Sequence, residues 1–164
     1  MNIQSDPMAS GAPGFLEDYL PYLLRRADQA LSSEFYRLLN GYGVGRSDWR
    51  VLAVLEDLGQ LSILDLTAAS LSPQPTVTHA VGRLAERGLV KRSTGTADKQ
   101  QRFVAITPAG RQLTATLIEE AKRLEAEALA EAGDLSDLVA NLRQLTAVIE
   151  ARSDHRADEQ PDAG

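Results

Sequence analysis

The sequence predicts a mainly α chain with a small β-hairpin. Three observations carry that expectation. Apolar residues recur at three- and four-residue steps through most of residues 15–150. Clusters of Gly, Pro, Asn and Ser punctuate those stretches. One segment breaks the pattern: "GLVKRSTGTADKQQRFVAITPAG", Gly88 to Gly110, has two short apolar runs around a centre of small, polar and charged residues.

The elements follow in order. Residues 1–14 are small and polar and are expected to form a mobile tail. "FLEDYLPYLLRRADQALSSEFYRLL" predicts an amphipathic helix in which Pro21 either makes a kink or marks the start of the longer part. "NGYGVG" stops it. "SDWRVLAVLEDLG" predicts a second helix, with Ser47 as N-cap and Gly59 as the stop. "LSILDLTAASL" predicts a short third helix capped by Ser62, with Asp65 at N3. "SPQPTVTHAVGRLAERGLV" predicts a fourth, capped by Ser72, with Pro73 and Pro75 in its first turn and Gly88 ending it. Strands are expected near Val90–Ser93 and Arg102–Ile106. Thr107 and Pro108 then open a fifth helix running through Ala132, and "GDLS" separates it from a sixth, "DLVANLRQLTAVIEA". Leu138, Leu142, Leu145 and Ile149 line one face of that last helix and need an apolar partner surface. "RSDHRADEQPDAG" is expected to be disordered.

Composition narrows the function classes. The chain has no cysteine, which excludes disulfides, thiolate metal sites and thiol redox sensing. Two histidines, and no carboxylate cluster with calcium-loop spacing, leave no expected metal site or cofactor. No nucleophile–base pair or phosphate-binding glycine loop is present, so an enzyme is not expected. No 18-residue apolar run or secretory signal is seen, and the expected location is the cytoplasm.

The net charge of −6 conceals segregation. From Ser72 to Arg111 there are seven Lys/Arg and two acids; from Gln112 onward there are five Lys/Arg and twelve acids. A basic block inside an acidic chain suits a polyanion bound through that block alone.

Short helix, tight turn, second helix opened by small polar residues, then hairpin: this order is that of a winged helix-turn-helix. A helix that enters the major groove must present small or polar groups at its leading end. Ser72, Gln74, Pro75, Thr76, Thr78 and His79 fill that role here, while Val77, Ala80, Val81 and Leu84 can face a core. Arg83 is placed for a phosphate or a guanine. Lys91, Arg92, Lys99, Gln100 and Arg102 on the hairpin can follow the backbone or reach the minor groove. His79 is read either as a DNA contact or as an exposed residue without a role.

The sequence also resembles the MarR (multiple antibiotic resistance regulator) family of transcription factors. "SDWRVLAVL", "PQPTVTHAVGRLAERGLVKR" and "DKQQRFVAITPAGRQL" carry the resemblance, which covers nearly all of residues 15–150. It implies a homodimer that binds a palindromic duplex operator, with dimerisation helices in 15–45 and 107–152 flanking a DNA-binding domain in 46–106; the polar residues 153–164 are left as a disordered tail. It also implies a repressor released by a small ligand held between the dimerisation layer and the winged domain. One departure stands out. Family wings read Asp, any residue, Arg, whereas Asp98 and Lys99 are followed here by Gln100. Either Arg102 or Lys99 substitutes, or DNA preference is weaker or narrower. Asp98, in family terms, ties the wing down.

Arg25 and Arg26 lie beside Tyr19, Tyr22 and Leu23 in an apolar segment. They either snorkel or pair with Glu17 or Asp18, or one of them clamps an anionic aromatic effector. Trp49 is read as core packing or as a wall of the same pocket; Tyr19, Tyr22 and Tyr36 equally suit a dimer core. The competing function is a winged-helix protein-interaction module with weakened or lost DNA binding.

Overall fold

The computed structural model describes residues 14–94 and 102–158, with side chains described as far as Arg152. In chain order the elements are α1 (Phe15–Asp18), α2 (Leu20–Gly41), α3 (Arg46–Leu58), β1 (Leu61–Ser62), α4 (Ile63–Ala69), α5 (Gln74–Glu86), β2 (Val90–Thr94), β3 (Arg102–Ile106), α6 (Pro108–Ala128) and α7 (Ser136–Asp158). The chain divides into two units, Met1–Ala126 and Glu127–Gly164.

Pro21 marks a helix start. Tyr19 is extended (φ −82°, ψ 102°), and α2 begins at Leu20 with Pro21 in its first turn, where a missing N–H costs no hydrogen bond. At α3 the expected cap Ser47 is displaced. Gly45 is the N-cap, because the Asp48 carboxylate reaches back one turn and accepts from the Gly45 amide at 3.0 Å. Ser62 caps α4 as expected. Its hydroxyl accepts from the Asp65 amide at 3.1 Å and donates to the Asp65 carboxylate at 2.7 Å.

Between α4 and α5 the chain turns through Leu71 at φ 49°, in the left-handed region that costs a residue with a Cβ roughly 1–2 kcal/mol. Ser72 does not cap α5. Its hydroxyl donates back to the Ser70 carbonyl at 2.9 Å, and Pro73 takes the N-cap position, with Pro75 in the first turn.

The hairpin is antiparallel, with Val90 opposite Ile106, Arg92 opposite Val104 and Thr94 opposite Arg102. It belongs to a three-stranded sheet of order β1-β3-β2, since Leu61 and Ser62 pair with Val104 and Phe103. The core of the winged part is built from Val51, Leu52 and Leu55 of α3, Leu66 of α4, and Val77, Ala80, Val81 and Leu84 of α5, closed by Leu89, Val90, Val104 and Ile106. A second cluster gathers Phe35, Leu39, Val44, Leu117 and Leu124.

α6 opens at Thr107, whose hydroxyl accepts from the Gly110 amide at 3.1 Å and donates to the Gly88 carbonyl at 2.7 Å. Gly110 is buried against the start of β2. A Cβ built there would stand 2.1 Å from the Leu89 carbonyl oxygen and 2.7 Å from Ile106 Cγ1, so only glycine fits. α6 ends at Ala128, four residues before the expected Ala132. α7 continues to Asp158, past Ala151 where the sequence predicts its end; Gly and Pro are missing from this stretch until Pro161. Residues 159–164 lie outside the described residues.

Candidate functional site

The front of α5 is divided by helical periodicity. Val77, Ala80, Val81 and Leu84 are buried, whereas Gln74, Pro75, Thr76, Thr78 and His79 are exposed. A row of hydroxyl, amide and imidazole groups therefore faces solvent on a helix held rigidly from behind. Ser72 stands just ahead of it, half-buried, and Arg50 Nη1 approaches its hydroxyl at 3.5 Å.

The basic block separates into two groups. Arg83 forks onto α3. Its Nη2 lies 2.6 Å from Asp48 Oδ1 and 3.1 Å from the Ser47 hydroxyl, and its Nε lies 3.5 Å from Asp48 Oδ2. Asp48 is buried, but half of the Arg83 side chain reaches solvent, so the pair is partly screened. Arg83 thus braces α3 against α5. Arg87 donates to the Gly43 and Tyr42 carbonyls at 2.6 and 3.1 Å, and Arg111 pairs with Glu56 at 3.3 Å.

The second group is free. Lys91, Arg92 and Arg102 are exposed on β2 and β3 and have no ion pair among the described residues. Arg92 lies over α5, since a Cβ at Gly82 would be 3.4 Å from its Nη2. Its charge therefore joins the hairpin to the polar face of α5. Asp98, Lys99 and Gln100 fall outside the described residues.

The residues read from sequence as one ligand pocket do not come together. Trp49 packs edge-on against Phe35, with centroids 5.0 Å apart. Both line a cavity of about 240 Å³ shared with Asp28, Leu124 and Glu125. Arg25 lines a different cavity, of about 610 Å³, with Asp28, Tyr36, Arg37, Arg46 and Arg50. Tyr19, Tyr22, Leu23 and Arg26 line neither. Tyr19 instead stacks on Phe15 at 4.7 Å, and Tyr19, Tyr22 and Leu23 are all exposed. Arg25 and Arg26 form no ion pair with Glu17 or Asp18. Sequence reasoning missed Asp48, Arg37, Arg46 and Arg50. The available signals were Asp48 three residues after Gly45, and the one-turn spacing of Arg46 and Arg50.

The model of the MarR family matches residues 42–101, from just after α2 to just before β3. A MarR family transcriptional regulator from Silicibacter pomeroyi is 32% identical in sequence and superposes with a TM-score of 0.71, over 82% of this chain and 98% of that one. The chain belongs to the MarR family. BpsR of Bordetella bronchiseptica, a protein whose DNA binding is regulated by 6-hydroxynicotinic acid, is 27% identical at a TM-score of 0.67, over 79% of this chain and 97% of BpsR. The HTH-type transcriptional regulator FarR of Neisseria gonorrhoeae is 29% identical over 97 residues, which span 59% of this chain and 66% of FarR, just under two thirds of its length. MarR relatives are thus regulators of transcription and not enzymes, and among the described residues no helix is long and apolar enough to cross a membrane.

Proposed function

We propose that this MarR protein is a dimeric, sequence-specific DNA-binding repressor of the cytoplasm, released from a palindromic operator by a small ligand. The observation that carries the reading is the two-faced α5 beside free cations. Its apolar face is locked into the core, Gln74, Thr76, Thr78 and His79 are offered to solvent, Arg92 lies over the same helix at Gly82, and Lys91 and Arg102 are exposed on the hairpin strands. Amide and hydroxyl groups on a rigid helix suit base edges in the major groove, and unpaired Lys/Arg on a hairpin suit phosphates or the minor groove.

In this reading residues 46–106 bind DNA, and the helical stretches over 15–45 and 107–152 hold two copies together. Their exposed apolar residues support that division: Leu16, Leu20 and Leu24 on one side, Leu138, Val148 and Ile149 on the other. Two copies would place two α5 helices on half-sites about one helical turn, ~10 bp, apart. An aromatic acid is the first ligand class to try, by analogy with the hydroxynicotinic acid that acts on BpsR.

The test is selection from a pool of random duplexes, followed by fluorescence anisotropy on the enriched sequence with and without a panel of aromatic acids. An enriched palindrome bound by a dimer is expected. A pool that stays random would defeat the DNA-binding reading, and affinity that no acid changes would defeat the choice of ligand.

A further inference from the structure

The 610 Å³ cavity between α2 and α3 is lined by four arginines and one carboxylate, a net charge of +3. Arg25, Gln29, Ser33 and Arg37 come from one face of α2 at four-residue spacing, and Arg46 and Arg50 from successive turns of α3. None of the four arginines has an ion pair among the described residues. The lone acid, Asp28, accepts instead from the Ser32 hydroxyl at 3.1 Å. Arg46 is set in place by stacking over the Tyr36 ring, 4.2 Å from its centroid.

The four arginines are exposed, and their excess positive charge would attract an anion into the site. A monocarboxylate would leave most of this charge unmatched. Arg25 and Arg37 are twelve residues apart on one helix, about 18 Å along its axis, so one carboxylate or phosphate group cannot pair with both. Guanidinium forks favour phosphate and carboxylate oxygens in pairs. We infer that this cavity binds an elongated small molecule with two or more separated anionic groups, phosphoryl or carboxylate, held by Arg25, Arg37, Arg46 and Arg50. The Trp49 cavity shares Asp28 with this one but adds Glu125 and no arginine, which disfavours an anion there. The inference deepens the ligand-responsive reading above, and binding is measured without DNA so that the two can fail separately.

Isothermal titration with inorganic tripolyphosphate, at constant ionic strength, tests it against benzoate. One tripolyphosphate per chain is expected, bound at least 10-fold more tightly than benzoate. Arg37→Ala and Arg46→Ala should each weaken it at least 10-fold with an unchanged thermal midpoint, and Arg26→Ala should leave it intact. Absence of binding, or binding that all three variants retain, overturns the inference. So does an Arg37→Ala variant that, in the absence of tripolyphosphate, binds duplex more weakly with a shallower salt dependence. The arginines would then be contacts to DNA phosphates.

Discussion

α5 and α7 carry the same kind of apolar spacing and meet opposite fates. On α5, Val77 and Val81 are 1% exposed and Leu84 is fully buried. On α7, Leu138 is 50% and Ile149 53% exposed, and none of the described side chains is buried. Periodicity states that a helix has a face to cover. It does not state whether the same chain supplies the cover. For α5 the partners are α3, α4 and the sheet. For α7 the stripe of Leu138, Leu142, Leu145 and Ile149 is the feature that a second copy would complete.

Substitutions can break that contrast at its strongest point. Leu84→Ala should cost about 4 kcal/mol, since it opens a cavity inside a closed core. Urea unfolding checks this, and a loss under about 1 kcal/mol would mean the site collapses freely. Gly110→Ala should cost about 3 kcal/mol, because a methyl group cannot occupy the space held by the Leu89 carbonyl. The same unfolding assay reads it, and an unchanged midpoint would contradict the close approach.

Ile149→Ala on α7 is the counterpart. It should leave unfolding of the winged unit unchanged and weaken self-association by about 2 kcal/mol per protomer, which sedimentation equilibrium measures. Equal association by wild type and variant would remove α7 from the interface.

Smaller still is Arg83→Ala, at about 1 kcal/mol, because half of the arginine side chain is in solvent and its ion pair is screened. Its effect on DNA affinity should be similar for every sequence, as a strut that positions α5 would give; a loss confined to one sequence would make it a base contact.

The smallest effect is acid-dependent. The Ser136 hydroxyl and amide, at 2.6 and 2.9 Å, hold the Asp134 carboxyl below its ordinary 3.8. A depressed carboxyl stabilises above its unfolded value, and that contribution is lost as pH falls through the lowered one. Asp134→Asn should therefore flatten the acid limb of α7 helicity, followed by circular dichroism.

Much of the architecture was legible because it rests on local chemistry. Gly59 and Gly88 stop helices, Ser62 and Thr107 cap them, and the polar run between β2 and β3 interrupts the helical period. What was not legible depended on distant partners or close competitors. β1 is two residues long and exists only because β3 runs beside it. Ser72 lost its cap role to a nearer carbonyl, that of Ser70. The ion pair of Arg83 was hidden because its counter-charge, Asp48, lies 35 positions earlier. The exposed row on α5 was readable from its spacing, whereas the four-arginine cavity needed two helices laid side by side.

The junction at Thr107 has a mechanical consequence. Its amide donates to the Leu89 carbonyl at 3.0 Å, its hydroxyl proton is shared between the Gly88 and Leu89 carbonyls, and the Leu89 oxygen also blocks any side chain at Gly110. The root of the hairpin and the first turn of α6 are therefore joined without play. A tilt applied to α6 cannot be absorbed at this joint as slack. It would be felt first at Leu89 and Val90, the residues that lead into Lys91 and Arg92 on β2.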